Sequence, residues 1–524
     1  MAKYVFVTGG VLSSLGKGTL SSSIARILKS KGANANCMKI DPYLNCDAGT
    51  LNPFEHGEVF VTQDGFECDL DVGNYERFLN IFARREQNFM MGQAYKAVIE
   101  KERKGDYLGK TLQMIPHVTN EVKRCIRNSA KVTGADVLVV ELGGTVGDIE
   151  SEVVLEAIRQ MRFEGDECVF IHLALVPTVT TGEQKTKPLQ HSVKMLLASG
   201  IQPDIIVARS EKPLGREARA KIAMFCNVAP EAVFYSANVD SVYKLPLVLQ
   251  EQEIHRPIAE KLSLKLKNDD LVEWKALLDK KPKVEKTIAV VGKYATTKDT
   301  YMSVFEALAH AALHNGVKLN AVLIDSEKVE AGTQSLEGFD AFVVPGGWGE
   351  RGVEGIIKTI QYAREKNLPY LGLCYGLQLA IVEFARNVLG FKDANTAEIN
   401  PNTKNPVICI LPEQREVREM GGTTRLGAFD VKVLKNTLAF SLYKDEKIYK
   451  RFRHRYEINP EYVDALEKAG WVFSGRDPKR EIMKIGELKT QEFHIGSQFH
   501  PEFDSRLEEP EPLFDGLVKA TLGK

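Results

Sequence analysis

The chain has 524 residues, 44% hydrophobic and 27% charged, which is enough for two to four domains with ample cores. Its 69 basic and 70 acidic residues leave a net charge of −1, so there is no electrostatic case for nucleic acid or an anionic membrane surface. No run of about 18 apolar residues occurs, and the chain enters a strand pattern at once. The eight cysteines are dispersed without a CxxC pair, so a reducing, cytoplasmic location is expected, with all but Cys374 acting as small hydrophobes.

The first element is VFVTGGVLSSLGKGT, Val5 to Thr19. β-prone residues run into a loop holding Gly9, Gly10, Gly16 and Gly18. A helix pattern follows, with Leu20, Ile24, Ile27 and Leu28 on one face and Gly32 as its stop. Strand, glycine loop and helix in that order cradle phosphate. Glycines let backbone N–H groups turn toward an anion, the helix N-terminus adds partial positive charge, and Lys17 adds a full one. The spacing departs from the usual P-loop: five residues separate Gly10 from Gly16, and Gly18 replaces the Ser/Thr after the lysine, with Thr19 next. A glycine turn with a surface lysine is the alternative. Any magnesium on a bound triphosphate would then depend on carboxylates elsewhere.

Ala35 to Ile40 reads as a second strand, followed by a polar stretch with Asp41, Asp47, Asp64, Asp69 and Asp71. Asp69 and Asp71 stand two apart and would share one side of an extended segment, either as a magnesium pair or as an ordinary acidic loop. KERKGDYLGKT is a solvated loop or an anion contact. Val137 to Val140 is a buried strand ending in Glu141, at the edge where α/β sheets bind ligands. Glu141 is thus a Walker-B-type acid, or else a capping or loop acid. Phe170 to Val176 and Ile205 to Ala208 are further strands, implying a doubly wound parallel sheet over residues 1–265. Residues 266–286 read as a charged linker with Pro282 and a short amphipathic helix carrying Leu271, Trp274 and Leu278.

A second α/β unit is expected over 287–524. Its strands are Thr287 to Val291, Ala321 to Ile324, Ala341 to Val344 and Tyr370 to Leu373, with a helix over Met302 to His314. The last strand enters Gly372-Leu373-Cys374-Tyr375-Gly376, which has the form of a nucleophile elbow with sulfur in place of oxygen. A cysteine at a helix N-terminus is favoured as thiolate. In Gly496-Ser497-Gln498-Phe499-His500-Pro501-Glu502, His500 is placed to take the thiol proton and Glu502 to hold the imidazole. Backbone N–H groups near Gly347 and Tyr375 are candidates for an oxyanion hole.

These motifs carry a resemblance. The C-terminal part resembles class I glutamine amidotransferase domains, and nearly the whole chain resembles the CTP synthase family. The similarity includes VTGGVLSSLGKG, MKIDPYLNCDAGTLNPFEHGEVFV, GGTVGDIE, EQKTKPLQHSV, PGGWGERGVEG, RHRYE and QFHPEF. The resemblance implies an α/β protein of two mostly parallel, helix-flanked sheets: a P-loop, dethiobiotin-synthetase-like amidoligase over 1–265 and an amidotransferase over 287–524. It implies ATP-dependent amination of UTP to CTP with ammonia from glutamine, through a 4-phosphorylated UTP and a Cys374 glutamyl thioester.

By the same resemblance, ATP would be held by Ser14, Leu15, Gly16, Lys17, Gly18, Thr19, Asp71 and Val239, with Asp71 and Glu141 on magnesium. UTP, or CTP as feedback inhibitor, would meet Ser13, Asp148, Ile149, Glu150, Lys185, Thr186, Lys187, Pro188, Leu189, Gln190 and Lys221. Glutamine would lie against Gly347, Tyr375, Gly376, Leu377, Gln378, Glu398 and Arg455. Pro53, His56 and Val59 match positions bordering an ammonia passage. GTP is a possible activator and a homotetramer is expected, with no nucleic-acid or membrane partner and no organic prosthetic group. Two stretches depart from the family pattern. Ile410 to Gly421 is short in the region tied to GTP response, and Ala237-Asn238-Val239 replaces a more usual Lys-Asp-Val. The rival readings are a P-loop amidoligase acting on a carboxylate and a nucleotide switch carrying a silent glutaminase-like module.

Overall fold

A computed structural model describes residues 2–268, 271–295, 297–411, 414, 424–480 and 482–523. Most of the short 410–421 segment, on which the GTP expectation rests, lies outside the described residues. Contacts divide the chain into two units, Met1–Ala48 with Asp71–Leu278, and Gly49–Leu70 with Asp279–Lys524.

In the first unit the apolar runs become strands: β1 (Lys3–Gly10), β2 (Ala35–Asp41), β3 (Asn88–Met90), β4 (Val137–Leu142), β5 (Cys168–Leu175), β6 (Ile205–Ser210) and β7 (Val233–Ala237). They form one sheet in the order β3-β2-β4-β1-β5-β6-β7, parallel throughout. Both faces are covered, which is why the strands read as continuous hydrophobic runs. Residues such as Phe6, Met38, Val140 and Phe170 fill one side. Strand order reverses about β1, so a crevice opens at the carboxyl ends of β1, β2 and β4. Helix α1 (Lys17–Ser30) buries Leu20, Ile24, Ile27 and Leu28, the face its sequence spacing selects.

One expectation changes here. Asp71 does not share an extended segment with Asp69, because helix α2 (Leu70–Leu79) begins between them and carries Asp71 in its first turn. The tyrosine and phenylalanine of this helix, Tyr75 and Phe78, are fully buried, and that burial outweighs the period-2 reading. The short helix expected in the 266–286 stretch is present. Helix Val272–Leu278 buries Trp274, whose Nε1–H donates to Tyr243 O at 2.7 Å, with the Arg26 guanidinium 4.4 Å over the ring.

The second unit contains β8 (Val284–Gly292), β9 (Val317–Asp325), β10 (Ala341–Val344), β11 (Tyr370–Leu373), β12 (Arg425–Val433), β13 (Lys447–His454), β14 (Trp471–Arg476), β15 (Met483–Leu488) and β16 (His494–Ser497). The sheet order is β9-β8-β10-β11-β16-β15-β14-β12-β13. Pairing is parallel from β9 to β16 and antiparallel beyond. Residues 49–70, which the sequence reading keeps within 1–265, pack with this unit. Their hairpin, Phe60–Val61 with Glu67–Cys68, is held by Ala428 N–H to Gln63 O at 2.9 Å, Arg451 Nη1 to Val61 O at 2.9 Å, and Arg453 Nε to Glu67 Oε1 at 2.6 Å. Among the described residues no helix is long and apolar enough to cross a membrane.

Candidate active sites

The glycine loop of the first unit joins β1 to α1. Gly16, the residue before the helix, sits in the left-handed region at φ 90°, and Val11 and Ser14 also take positive φ (80° and 58°). Such backbone is held in place only where surrounding structure requires it. Lys17 is buried, and its Nζ donates to Gly144 O at 2.7 Å. Burial pushes the Lys17 ammonium down, Glu141 opposes this, Lys39 reinforces it, and Asp71 and Asp41 oppose it.

Beside the loop lies a buried charge cluster. Lys39 on β2 donates to Asp71 and to Glu141 Oε1 (3.1 Å), with Asp41 Oδ1 at 3.8 Å. The Tyr75 hydroxyl donates to the other oxygen of Glu141. Glu141 is raised to about 7, by burial first and then by Asp71, with Lys39, Tyr75 and Lys17 pulling the other way. A Cβ on Gly18 would fall 1.9 Å from Asp71 Oδ1, so the first turn of α1 leaves only a hydrogen's width for that carboxylate.

Asp71 and Glu141 are hard oxygen donors already gathered about one cation, the Lys39 ammonium. Magnesium is held by one or two carboxylates together with substrate phosphates, so this donor set fits it. Lys39 was missed by the sequence reading. The signal was the period-2 spacing of Lys39 and Asp41 at the carboxyl end of β2, which puts both on one face.

The remaining nucleotide candidates follow different strands of the sheet, some on loops and some in helices. Ser13 and Ser14 are exposed, Leu15 is buried, and Thr19 is half-buried in α1. Asp148 accepts from Thr145 N at 3.1 Å, closing the turn after β4, and the neighbouring Ile149 and Glu150 are exposed. Lys187 and Pro188 open helix α3 (Lys187–Ala198), Leu189 is core, and Gln190 Nε2 donates to Thr186 Oγ1 at 2.9 Å. Lys185 pairs with Glu183 at 2.6 Å and Lys221 with Glu217 at 2.7 Å. A cavity of about 430 Å³ brings Lys221 together with Gln184, Lys212 and Glu183; Asp148, Ile149 and Glu150 are not among its lining residues. Val239 is half-buried just past β7.

In the second unit β11 turns sharply into helix α4 (Tyr375–Asn387) at Cys374, which takes φ 49° and ψ −96°. The elbow is possible because its flanking glycines leave no space for a side chain. A Cβ on Gly376 would meet Val344 O at 2.3 Å, and one on Gly372 would meet the Gly376 carbonyl carbon at 2.8 Å. Cys374 N–H donates to Ser497 O at 2.6 Å, tying the elbow to the end of β16. That strand leads to His500, whose Nδ1 bonds Glu502 Oε1 at 2.7 Å, while Nε2 has no partner of ordinary hydrogen-bond geometry. Burial pushes the His500 ring down, but Glu502 and the Cys374 sulfur outweigh it and raise the ring to about 10. The shift favours the imidazolium, the state reached once the ring has taken the thiol proton.

The Gly346–Gly349 loop is clamped over this site. A Cβ on Gly346 would press to 2.7 Å from His500 Cε1. Tyr375 OH donates to Gly349 O at 2.6 Å, Lys293 Nζ to Trp348 O at 2.6 Å, and Gly349 N–H to Glu398 Oε1 at 2.8 Å. Burial raises Glu398 despite the Gly349 N–H and Lys293, and burial lowers Lys293 to about 8. Leu377 is core, Arg455 is half-buried, and Gln378 Nε2 donates to Tyr456 O at 2.9 Å. Lys293, Arg453 and Gln498 were missed, because their positions depend on strands far apart in sequence. A cavity of about 70 Å³ adjoins Cys374 and His500 and is lined by Pro53, Glu58, Val59, Thr300 and Tyr301; His56 is not among its walls.

Comparison with known proteins gives two family matches, to the CTP synthase N-terminus over residues 3–264 and to glutamine amidotransferase class-I over 296–520. A curated CTP synthase of Caldanaerobacter subterraneus subsp. tengcongensis is 50% identical over 529 residues, covering 100% of this chain and 98% of the relative. One of Pyrococcus furiosus is 52% identical over 528 residues, covering 99% and 98%. Among solved structures, the glutaminase domain of Trypanosoma brucei CTPS with bound acivicin aligns at 36% identity over 46% of this chain and 94% of that one, with a TM-score of 0.43.

Proposed function

This chain belongs to the CTP synthase family of glutamine-hydrolysing ligases, which make CTP from UTP with ATP, and from that premise we propose how its own residues divide the work. The observation that supports the division is that one polypeptide carries both an elbow thiol beside an imidazole–carboxylate pair and a buried lysine–carboxylate nest at a glycine loop.

In the glutaminase half, Cys374 Sγ attacks the amide carbon of glutamine, and a C–S bond forms. The developing oxyanion is received by backbone N–H groups near Gly347 and Tyr375; one such donor is worth about 3 kcal/mol. The His500 imidazolium passes its proton to the departing nitrogen, the C–N bond breaks, and ammonia leaves a glutamyl thioester. Water, relieved of a proton by His500, then clears the thioester as glutamate. Glu502 keeps the ring oriented throughout. By charge, Arg455 suits the substrate carboxylate and Glu398 its ammonium, with Gly376, Leu377 and Gln378 forming the floor. Pro53 and Val59 shape a cavity beside the sulfur in which ammonia stays neutral, since in bulk water at neutral pH it would mostly become ammonium.

In the synthetase half, Ser14 to Thr19 and Lys17 hold the triphosphate of ATP, with Val239 near the base. Asp71 and Glu141 would hold magnesium, which when bound neutralises phosphate charge. Ser13, Asp148 to Glu150, Lys185 to Gln190 and Lys221 receive the pyrimidine nucleotide. UTP O4 takes the γ-phosphoryl group, ADP leaves, and ammonia displaces phosphate from ring carbon 4 to give CTP. Inhibition by CTP at the UTP residues, activation by GTP and a homotetramer belong to the same reading.

The test measures ADP and CTP together. ADP release should require UTP, and CTP should form only when a nitrogen source is also present; ADP release that is indifferent to UTP would overturn the reading. Cys374→Ala should lose glutamine-driven CTP formation and keep ammonium-driven formation. Equal loss of both would break the two-site division.

A further inference from the structure

The Cys374 sulfur has a neighbour that the mechanism above leaves idle. Gln498, fully buried at the end of β16, directs its Nε2–H at Cys374 Sγ, 3.4 Å away. Its backbone is fixed by its own N–H to Lys484 O at 2.8 Å. The direction of this amide follows from its surroundings. The Tyr456 carbonyl can only accept, so Gln378 must present its NH₂ group there, at 2.9 Å. The same NH₂ reaches Gln498 Oε1 at 3.2 Å, so Gln498 presents oxygen to Gln378 and its own NH₂ to sulfur. Gln378 thus donates both to the Tyr456 carbonyl and to Gln498, which leaves Gln498 as the donor to the thiol. The thiol side offers Arg453 O at 3.6 Å as an acceptor. Once the thiol proton has gone to His500, that acceptor has nothing to bind, whereas the Gln498 N–H remains a donor.

We propose that Gln498 is a catalytic residue of glutamine hydrolysis, donating its amide N–H to the Cys374 sulfur whenever that sulfur carries charge. Two moments require it. The first is the attacking thiolate; the second is the collapse of the hydrated thioester, when the C–S bond breaks and the electron pair returns to sulfur. A hydrogen bond to a charged atom is stronger than a neutral one and acts with most effect in a dry site. Tyr456 and Gln378 hold the donor in orientation, so little reorganisation accompanies either step.

The inference rests on Cys374 being the nucleophile, and the experiment separates the two claims. Gln498→Met keeps length and removes the donor. It should keep ammonium-driven CTP formation within about twofold, which reports an intact fold. Its glutamine-driven kcat should fall about 10- to 100-fold with KM for glutamine little changed, the expected cost of one charge-assisted hydrogen bond. Iodoacetamide modification of the Cys374 peptide, read by mass spectrometry at fixed pH, should slow in proportion. Modification at the wild-type rate, or a loss confined to KM, would overturn the proposal. If the Met variant loses ammonium-driven activity as well, Gln498→Glu replaces it: a carboxylate facing the sulfur should slow modification further, and a wild-type rate would again overturn the claim. Retention of glutamine-driven synthesis by Cys374→Ala would instead remove the nucleophile assignment itself.

Discussion

Gly18→Ala is the most informative single change at the glycine loop, because two effects of opposite sign meet there. Alanine in a helix is favoured over glycine by roughly 0.5–1 kcal/mol, so local propensity alone would make the variant more stable. The added methyl, however, would stand 1.9 Å from Asp71 Oδ1 and 2.5 Å from its Cγ, so the carboxylate must swing away. Asp71 then loses Lys39, whose side chain is only 7% exposed while Asp71 is 19% exposed. Breaking a buried ion pair costs about 3–5 kcal/mol. Lys39 still keeps Glu141 at 3.1 Å, so the loss falls at or below the low end of that range. The net effect is a destabilisation of about 1–3 kcal/mol and a displaced Asp71 carboxylate. A misplacement of that size costs about 100-fold in rate. The assay is ammonium-driven CTP formation at saturating ATP and UTP, beside glutamine hydrolysis in the same preparation. The first should collapse and the second persist. Gly16→Ala is the comparison: its φ of 90° strains any side chain, but nothing lies within 4 Å, so only backbone strain of about 1–2 kcal/mol is expected. A Gly18→Ala enzyme with wild-type ammonium-driven rate would refute the placement of Asp71.

His494 stacks on Tyr370 at 4.6 Å with neither ring nitrogen hydrogen-bonded, and burial, then Arg364, lowers it to about 3. A folded pKa below the ordinary 6.5 means a stabilisation present above pH 6.5 and lost as pH falls toward 3, up to about 5 kcal/mol. His494→Phe should therefore raise the unfolding midpoint of the second unit increasingly as the solution is acidified; parallel pH curves for both proteins would contradict this. Trp274→Ala should cost about 3–5 kcal/mol, because it removes a buried ring, the bond to Tyr243 O and the Arg26 contact. An unchanged denaturation profile of the first unit would show that segment 272–278 is a passive tether.

Where local structure depends on a few consecutive residues, the sequence was enough. A β-prone run, spaced glycines and a lysine before an amphipathic face specify a strand, a glycine loop and a helix, since each feature acts through backbone geometry within one or two turns. The elbow is equally local: Gly372 and Gly376 are demanded by the close approach of the chain to itself, and His500 and Glu502 stand two apart on one short segment. Strands β1, β4 and β10 were legible because burial on both faces leaves a nearly continuous apolar run. The antiparallel strands β12 and β13 were not, since partial exposure breaks their pattern, and the wholly buried β15 is interrupted by Lys484 and Glu487. Only tertiary structure decided that Asp71 rides a helix and that Lys39 bridges it to Glu141. The same holds for residues 49–70 joining the second unit and for Gln498 facing the sulfur. Those relations join groups tens to hundreds of residues apart. Such pairings are selected by the burial of whole surfaces and the satisfaction of buried charge, quantities that exist only once the chain has closed on itself.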